Sequence, residues 1–146
     1  MPDKFNTLVN FIDLKSRLDE PEVQMILSLS LFQPTPETIA RVIERCRTND
    51  ERKLWGIVNE EQVLGVIEYY NRDVNTVYVA NFAVKEDYRK QGIGRFIIDA
   101  LQEKCKLPLE LVTDDDAIDF YRKCGFEVTP FEKNGIQRWK CRRFKK

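Results

Sequence analysis

Two hydrophobic periods divide the chain. Near its start Phe5, Leu8, Phe11, Ile12 and Leu14 alternate weakly, which suits either a strand or a loosely docked arm. From Pro21, placed for a first helical turn after Asp19-Glu20, the residues Val23, Ile26, Leu27 and Leu31 recur at helical spacing. A second helix is signalled by Thr35 as N-cap, Pro36 at the first helical position, and Ile39, Val42, Ile43 and Cys46 on one face, ending near Thr48-Asn49. The period then shortens. Leu54–Val58, Val63–Tyr70 and Val77–Val84 are rich in β-branched and aromatic residues and are joined by Asn59-Glu60-Glu61 and Asn71-Arg72-Asp73, which predicts an antiparallel meander. Ile93, Phe96, Ile97, Ala100 and Leu101 restore a helical stripe up to about Lys106, before Pro108. A strand over Leu109–Thr113, a helix from about Asp115 to Cys124 capped by Gly125, and strands near Phe126–Phe131 and Gln137–Phe144 around Lys133-Asn134-Gly135 complete the order. This order predicts an α/β (α+β) domain: a mixed, mostly antiparallel twisted sheet of six to seven strands flanked by about four helices.

Composition narrows the chemistry. The 146 residues fit one domain spanning 1–146, with neither repeat nor Gly/Ser linker to divide them. Lys plus Arg is 24 and Asp plus Glu is 24, so the formal charge is zero and a uniformly basic nucleic-acid binder is not expected. There is no histidine, which excludes Ser-His-Asp and Cys-His catalysis and His-ligated zinc, and leaves Asp, Glu, Tyr, Cys, Lys or water to move protons. Cys46, Cys105, Cys124 and Cys141 form no Cys-x-x-Cys pair and read as small core residues; no metal is implied. With no signal-like N-terminus or long apolar run, the expected location is the cytoplasm, with reduced thiols and no membrane partner.

The segment Val84-Lys85-Glu86-Asp87-Tyr88-Arg89-Lys90-Gln91-Gly92-Ile93-Gly94-Arg95 carries the strongest chemical signal. A strand ends, a polar loop holds two glycines, and a helix begins at once, presenting free backbone N–H groups at the positive end of a helix dipole. Arg89, Lys90 and Arg95 add cationic charge, so the loop suits a phosphate or pyrophosphate; an ordinary strand-to-helix turn is the competing reading. It is not a Walker loop, lacking Gly-Lys-Ser/Thr. Nor is it a dinucleotide fingerprint, since Ile97 stands where the third glycine belongs, and the meander opposes a doubly wound nucleotide-binding domain.

Arg89-x-x-Gly92-x-Gly94, entered from an apolar strand, resembles the acetyl-CoA pyrophosphate loop of the GNAT superfamily of N-acetyltransferases. Further on, Asp114-Asp115-Asp116-Ala117-Ile118-Asp119-Phe120-Tyr121-Arg122-Lys123-Cys124-Gly125-Phe126 resembles that family's Asn-x-x-Ala-x-x-Phe/Leu-Tyr-x-x-x-Gly-Phe segment. The resemblance covers about Thr35 to Phe126 and is weak outside it. It implies that the strand ending in Phe82, Ala83 and Val84 splays from its neighbour and pairs with the pantetheine arm, one of its N–H groups polarising the thioester carbonyl. Main-chain groups of Arg89, Lys90, Gln91, Gly92, Ile93, Gly94 and Arg95 would cradle the pyrophosphate.

Tyr121 matches the tyrosine that meets the CoA sulfur and protonates the leaving thiolate, although a half-buried aromatic packed in its helix is the plainer alternative. Asp114 replaces the family's asparagine; it would contact CoA or, beside a positive helix end, act as an N-cap. Glu68, Glu110 and Asp114 are candidate bases for the amine, and Trp55, Tyr69 and Tyr70 candidate cleft aromatics or core residues. Cys124 reads as packing rather than as a nucleophile. The tail from Lys133 is basic, with Arg138, Lys140 and Arg142 alternating against Trp139 and Cys141; it fits a solvated edge strand, or a docking face for an acidic substrate or nucleic acid. The implied activity is transfer of the acetyl group of acetyl-CoA to a primary amine of a small molecule or peptide, with a non-catalytic acyl-CoA-binding module as the alternative and a homodimer left open.

Overall fold

Burial of the two apolar faces of a seven-stranded sheet organises the computed structural model, which describes residues 9–144. The strands are β1 (Val9–Asp13), β2 (Lys53–Asn59), β3 (Gln62–Asp73), β4 (Thr76–Val84), β5 (Leu109–Thr113), β6 (Glu127–Lys133) and β7 (Ile136–Arg143), in spatial order β1-β2-β3-β4-β5-β7-β6. Only β4 and β5 run parallel; all other neighbours are antiparallel. The helices are α1 (Pro21–Ser28), α2 (Pro36–Thr48), α3 (Ile93–Cys105) and α4 (Ile118–Lys123), with single 3-10 turns at Lys15–Arg17 and Glu86–Tyr88. The predicted mixed, mostly antiparallel sheet with four helices is therefore observed.

Period-two burial explains why one sheet supports two cores. On one face, Val23, Ile26 and Leu27 of α1 and Ile43 and Cys46 of α2 pack on Leu54, Val58, Val63 and Val66. On the other, Ile93, Ile97, Ile98 and Leu101 of α3 and Tyr121 of α4 pack on Leu64, Ile67, Val79, Leu109 and Leu111. Helix α3 sits close to the sheet because Gly65 carries no side chain: a Cβ there would lie 2.7 Å from the Cδ1 of Ile97. Thr35 caps α2 as expected, accepting from the Thr38 N–H at 3.1 Å while the Thr38 hydroxyl accepts from the Thr35 N–H at 2.8 Å. The β6–β7 hairpin turns on Asn134 and Gly135, both with positive φ (53° and 76°), the conformation of a two-residue primed turn.

Several boundaries differ from the sequence expectation. Helix α1 stops at Ser28, before Leu31, because the Ser28 and Ser30 hydroxyls donate to the carbonyls of Met25 and Leu27. Strand β3 runs through Asn71-Arg72-Asp73, and the turn falls on Val74-Asn75, closed by the Asn75 N–H donating to the Asp73 carboxylate at 2.8 Å. Helix α4 starts at Ile118 rather than Asp115, with Ala117 at its N-cap. Asp114 does not cap it. Its carboxylate accepts from the Asp116 N–H at 3.1 Å in a local turn, and Asp115 accepts from the Trp139 indole, so the acidic run is used before the helix begins. The last strand ends at Arg143, leaving Phe144 outside it. The expected contributions of Phe5 and Leu8 lie outside the described residues.

All four cysteines are free thiols; Cys46, Cys124 and Cys141 are buried and Cys105 is partly exposed. Burial pushes the Cys46 and Cys141 thiols up to about 11. At pH 8 a disulfide reagent is expected to modify Cys105 first in the native protein and the other three only after denaturation. Reaction of Cys46 or Cys141 at the rate of Cys105 would contradict this core.

Candidate active site

The site begins where two strands part. β4 and β5 pair only at Val77–Leu109 and Tyr78–Glu110, and then diverge while β5 stays with β7 as far as Thr113–Trp139. Opposite β3, Glu68 faces Asn81 and Tyr69 faces Val79, so Ala80 is an extra residue in β4 that bends the strand away from β5. Beyond the bulge only β3 satisfies β4. The Lys85 N–H donates to the Leu64 carbonyl at 2.7 Å; alternation from that bond turns the backbone of Ala83 toward Val66 and the backbones of Phe82 and Val84 toward the gap. Hence Phe82 and Val84 offer the free edge, and Ala83 does not. The Val84 carbonyl accepts from the Arg89 guanidinium at 3.2 Å.

The glycine loop lies against this edge. Lys90 and Gly92 both take positive φ (64° and 84°), folding the loop tightly into α3. The Phe96 N–H bonds to the Gly92 carbonyl at 3.0 Å, so the N–H groups of Ile93, Gly94 and Arg95 have no partner within the helix. The two glycines serve different needs. Gly92 supplies the left-handed turn with open space around it, whereas a Cβ on Gly94 would come within 2.9 Å of the Phe120 ring. Arg95 donates to the Lys123 carbonyl at 3.0 Å, tying the start of α3 to the end of α4.

Between these elements is a cavity of about 770 Å³. Of the residues expected from the sequence, Phe82, Ala83, Val84, Arg89, Lys90, Gly92, Gly94, Arg95 and Tyr121 line it, while Gln91, Ile93 and Asp114 do not. The Ile93 side chain is in the core, and the Gln91 side chain turns back to donate to the Asp87 carbonyl at 3.0 Å. Leu29, Asp116, Ala117, Phe120 and Lys123 also line the cavity. Phe120 has a sequence signal, its place beside Tyr121. Asp116 and Ala117 lie in the same motif segment, whereas Leu29 has no signal, because long-range packing brings it there.

Tyr121 is 8 % exposed. Its ring meets Phe120 and Phe126 edge-on at 5.1 and 5.3 Å, with Phe82 at 6.4 Å. Burial, reinforced by Cys141, Cys124 and Asp114, raises its phenol well above the usual value, so it stays protonated at neutral pH. The carboxylates proposed as bases are differently placed. Glu68 is buried and bonded by Arg52 at 2.9 Å and by the Asn81 amide at 2.6 Å, with the Ser30 hydroxyl donating to the other end of Asn81 at 3.1 Å. Glu110 is buried among Arg72, Arg142 at 2.9 Å and Lys140 at 3.8 Å. Asp114 is exposed. Among the aromatics, Tyr69 is core and Trp55 stacks on Phe11 at 5.2 Å, while Tyr70 lies on the opposite face, 5.5 Å from Tyr78.

Among the described residues no helix is long and apolar enough to cross a membrane. Similarity to known proteins agrees with the geometry. The "Uncharacterized N-acetyltransferase YvbK" of Bacillus subtilis (strain 168) is 29% identical over 109 residues, 68% of this chain and 65% of that protein, so the chain spans just under two-thirds of this relative's length. A GNAT family acetyltransferase from Elizabethkingia anophelis, solved with acetyl-CoA bound, superposes with a TM-score of 0.69 at 19% identity, over 94% of this chain and 98% of its own. The PaiA N-acetyltransferase of Thermoplasma acidophilum, in complex with coenzyme A, superposes at 0.71 with 15% identity, over 93% and 98%. At such identities the structures speak for the fold. The sequence pattern of the Acetyltransferase (GNAT) family itself matches residues 21–126, and the chain belongs to that family.

Proposed function

We propose that the chain is one N-acetyltransferase domain that moves the acetyl group of acetyl-CoA to a primary amine by direct attack, in the cytoplasm. The observation that carries this reading is the unpaired β4 edge at Phe82 and Val84, set beside a cavity that ends at the free N–H groups of α3. The donor set fits the co-substrate. Phe82 and Val84 can hydrogen-bond an extended amide-bearing arm as a missing strand would, and the first turn of α3, with Arg89, Lys90 and Arg95, can hold a pyrophosphate. Acetyl-CoA supplies an activated acetyl carbonyl and a sulfur leaving group.

In this reading an N–H of the β4 edge polarises the carbonyl oxygen. The amine nitrogen forms the new C–N bond as the C–S bond breaks; the amine proton goes to water, since Glu68 and Glu110 are each committed to cations and Asp114 does not line the cavity. Tyr121 donates a hydrogen bond to the sulfur as negative charge develops. A thiol titrates near 8.5 and this phenol above its usual value near 10, so the phenol stabilises the thiolate without surrendering its proton, and solvent completes the protonation. The commitment of both carboxylates also suits a second reading, an acyl-CoA-binding module without turnover, which the same measurements separate.

Acetyl-CoA at about 100 times its Kd is expected to stabilise the protein by ~2.7 kcal/mol and raise Tm by roughly 5–10 °C, with ATP and NAD ineffective. No shift with either CoA form would remove the pyrophosphate-loop reading; a shift without turnover on any amine would favour the binding module. For catalysis, Tyr121→Phe is expected to lower kcat by about 10²-fold with acetyl-CoA affinity nearly unchanged. Because the phenol is raised, the wild-type kcat should fall with its ionisation only above about pH 10, and that limb should vanish in the variant. Full activity in Tyr121→Phe would exclude the role.

A further inference from the structure

A second concavity, of about 470 Å³, opens on the α1/α2 face of the sheet where β4 and β5 separate. Its floor is Tyr78, Ala80 and Val112, residues at or just beyond the last β4–β5 pair, and its outer wall is the β6–β7 hairpin with Phe131. Ala80 is the bulge residue of the strand that also lines the first cavity. A molecule in this groove therefore approaches β4 from the side opposite α3 and α4, at Tyr78 and Ala80, next to the Phe82–Val84 stretch that lines the first cavity.

The charge of the groove is one-sided. Both charged residues lining it, Lys133 and Arg138, are cations, and none of the lining residues is a carboxylate. Alternation along β7 places Arg138 on this face beside Lys140 and Arg142, one step beyond the end of β5 and opposite Phe131. Lys140 and Arg142 are occupied by buried Glu110, which also takes Arg72, so that acid is surrounded before it could offset Arg138. The rest of the lining is mostly apolar or aromatic, and the volume is that of a small-molecule site. A guanidinium beside an aromatic floor suits a carboxylate bound in a fork with an apolar body below it. A polycation would meet only repulsion.

We infer that the acceptor is a small amine that also bears a carboxylate, gripped by Arg138 and Lys133 and lying on Tyr78 and Phe131. This rests on the transferase reading above and selects, within it, amino-acid-like acceptors over polyamines and aminoglycosides.

Matched pairs that differ by one carboxylate provide the test: tyrosine against tyramine, and lysine against 1,5-diaminopentane, with CoA formation followed by chromatography. The carboxylated member of each pair is expected to have at least about tenfold higher kcat/KM. The double variant Lys133→Glu/Arg138→Glu should invert the preference while retaining the Tm rise with acetyl-CoA. Equal or better use of the decarboxylated amines, or of spermidine, by the wild-type protein overturns the inference and leaves the transferase reading intact. If no amine is turned over, calorimetric titration of the same pairs into CoA-saturated protein decides: a carboxylate preference lost in the variant supports the inference, and no preference or no binding overturns it. Failure to bind acetyl-CoA would instead overturn the transferase reading, and titration into the ligand-free protein would still decide the carboxylate preference.

Discussion

The separation of β4 from β5 after only two paired positions is the constraint on which the rest of the molecule depends. Parallel strands ordinarily stay in register because each ladder bond left unmade exposes a donor or acceptor. Here Ala80 adds a residue to β4, the strand bends, and the aromatic rings of Phe82, Phe120 and Tyr121 line the wedge on the α3/α4 side. What remains is a strand edge inside the protein with polar backbone groups facing a cavity. Such an edge is costly unless a ligand or water completes it, and it lies against the helix end and cationic loop expected of a nucleotide-derived thioester site.

The closed end of the wedge needs a clamp, and Glu110 supplies it. It stands at the last β4–β5 pair and gathers Arg72 from β3 and Lys140 and Arg142 from β7. A lone buried carboxylate would lose its hydration without return, but three cations offset that loss and join strands on both sides of the opening. Arg143, itself buried, donates to Asp99 of α3 at 2.6 Å and fastens the helix to β7. Glu68, Arg52 and Asn81 form a comparable network under α1 and α2. These acids are held in structural ion pairs, and in the proposed reaction the chemistry therefore falls to the backbone, the phenol and the solvent. A chain without histidine can run such a reaction.

Much of this was legible in the sequence where a local signal and the tertiary demand coincide. Thr35 and Pro36 start α2 because a cap and a fixed φ need no distant partner. Arg89, Gly92 and Gly94 marked the loop because a tight strand-to-helix turn has few solutions. The Asp114–Asp116 run misled because the same side chains that cap helices also close turns, and the indole of Trp139, far along the chain, claimed Asp115. The Ala80 bulge could not be seen: one extra residue in an apolar strand leaves the period-two pattern nearly intact, and only the register against β3 reveals it. Glu110 read as a candidate base because its cations come from two distant strands, Arg72 on β3 and Lys140 and Arg142 on β7.

The central claim, that the β4 edge at Phe82 and Val84 is left open for a ligand backbone, is tested most directly by residue-resolved amide hydrogen exchange with and without saturating acetyl-CoA. The Ala83 N–H, bonded to β3, should be protected in both states, whereas the N–H groups of Phe82 and Val84 should exchange rapidly alone and become protected in the complex. Protection of Phe82 and Val84 in the free protein, or exchange unchanged by a ligand that demonstrably binds, would contradict it.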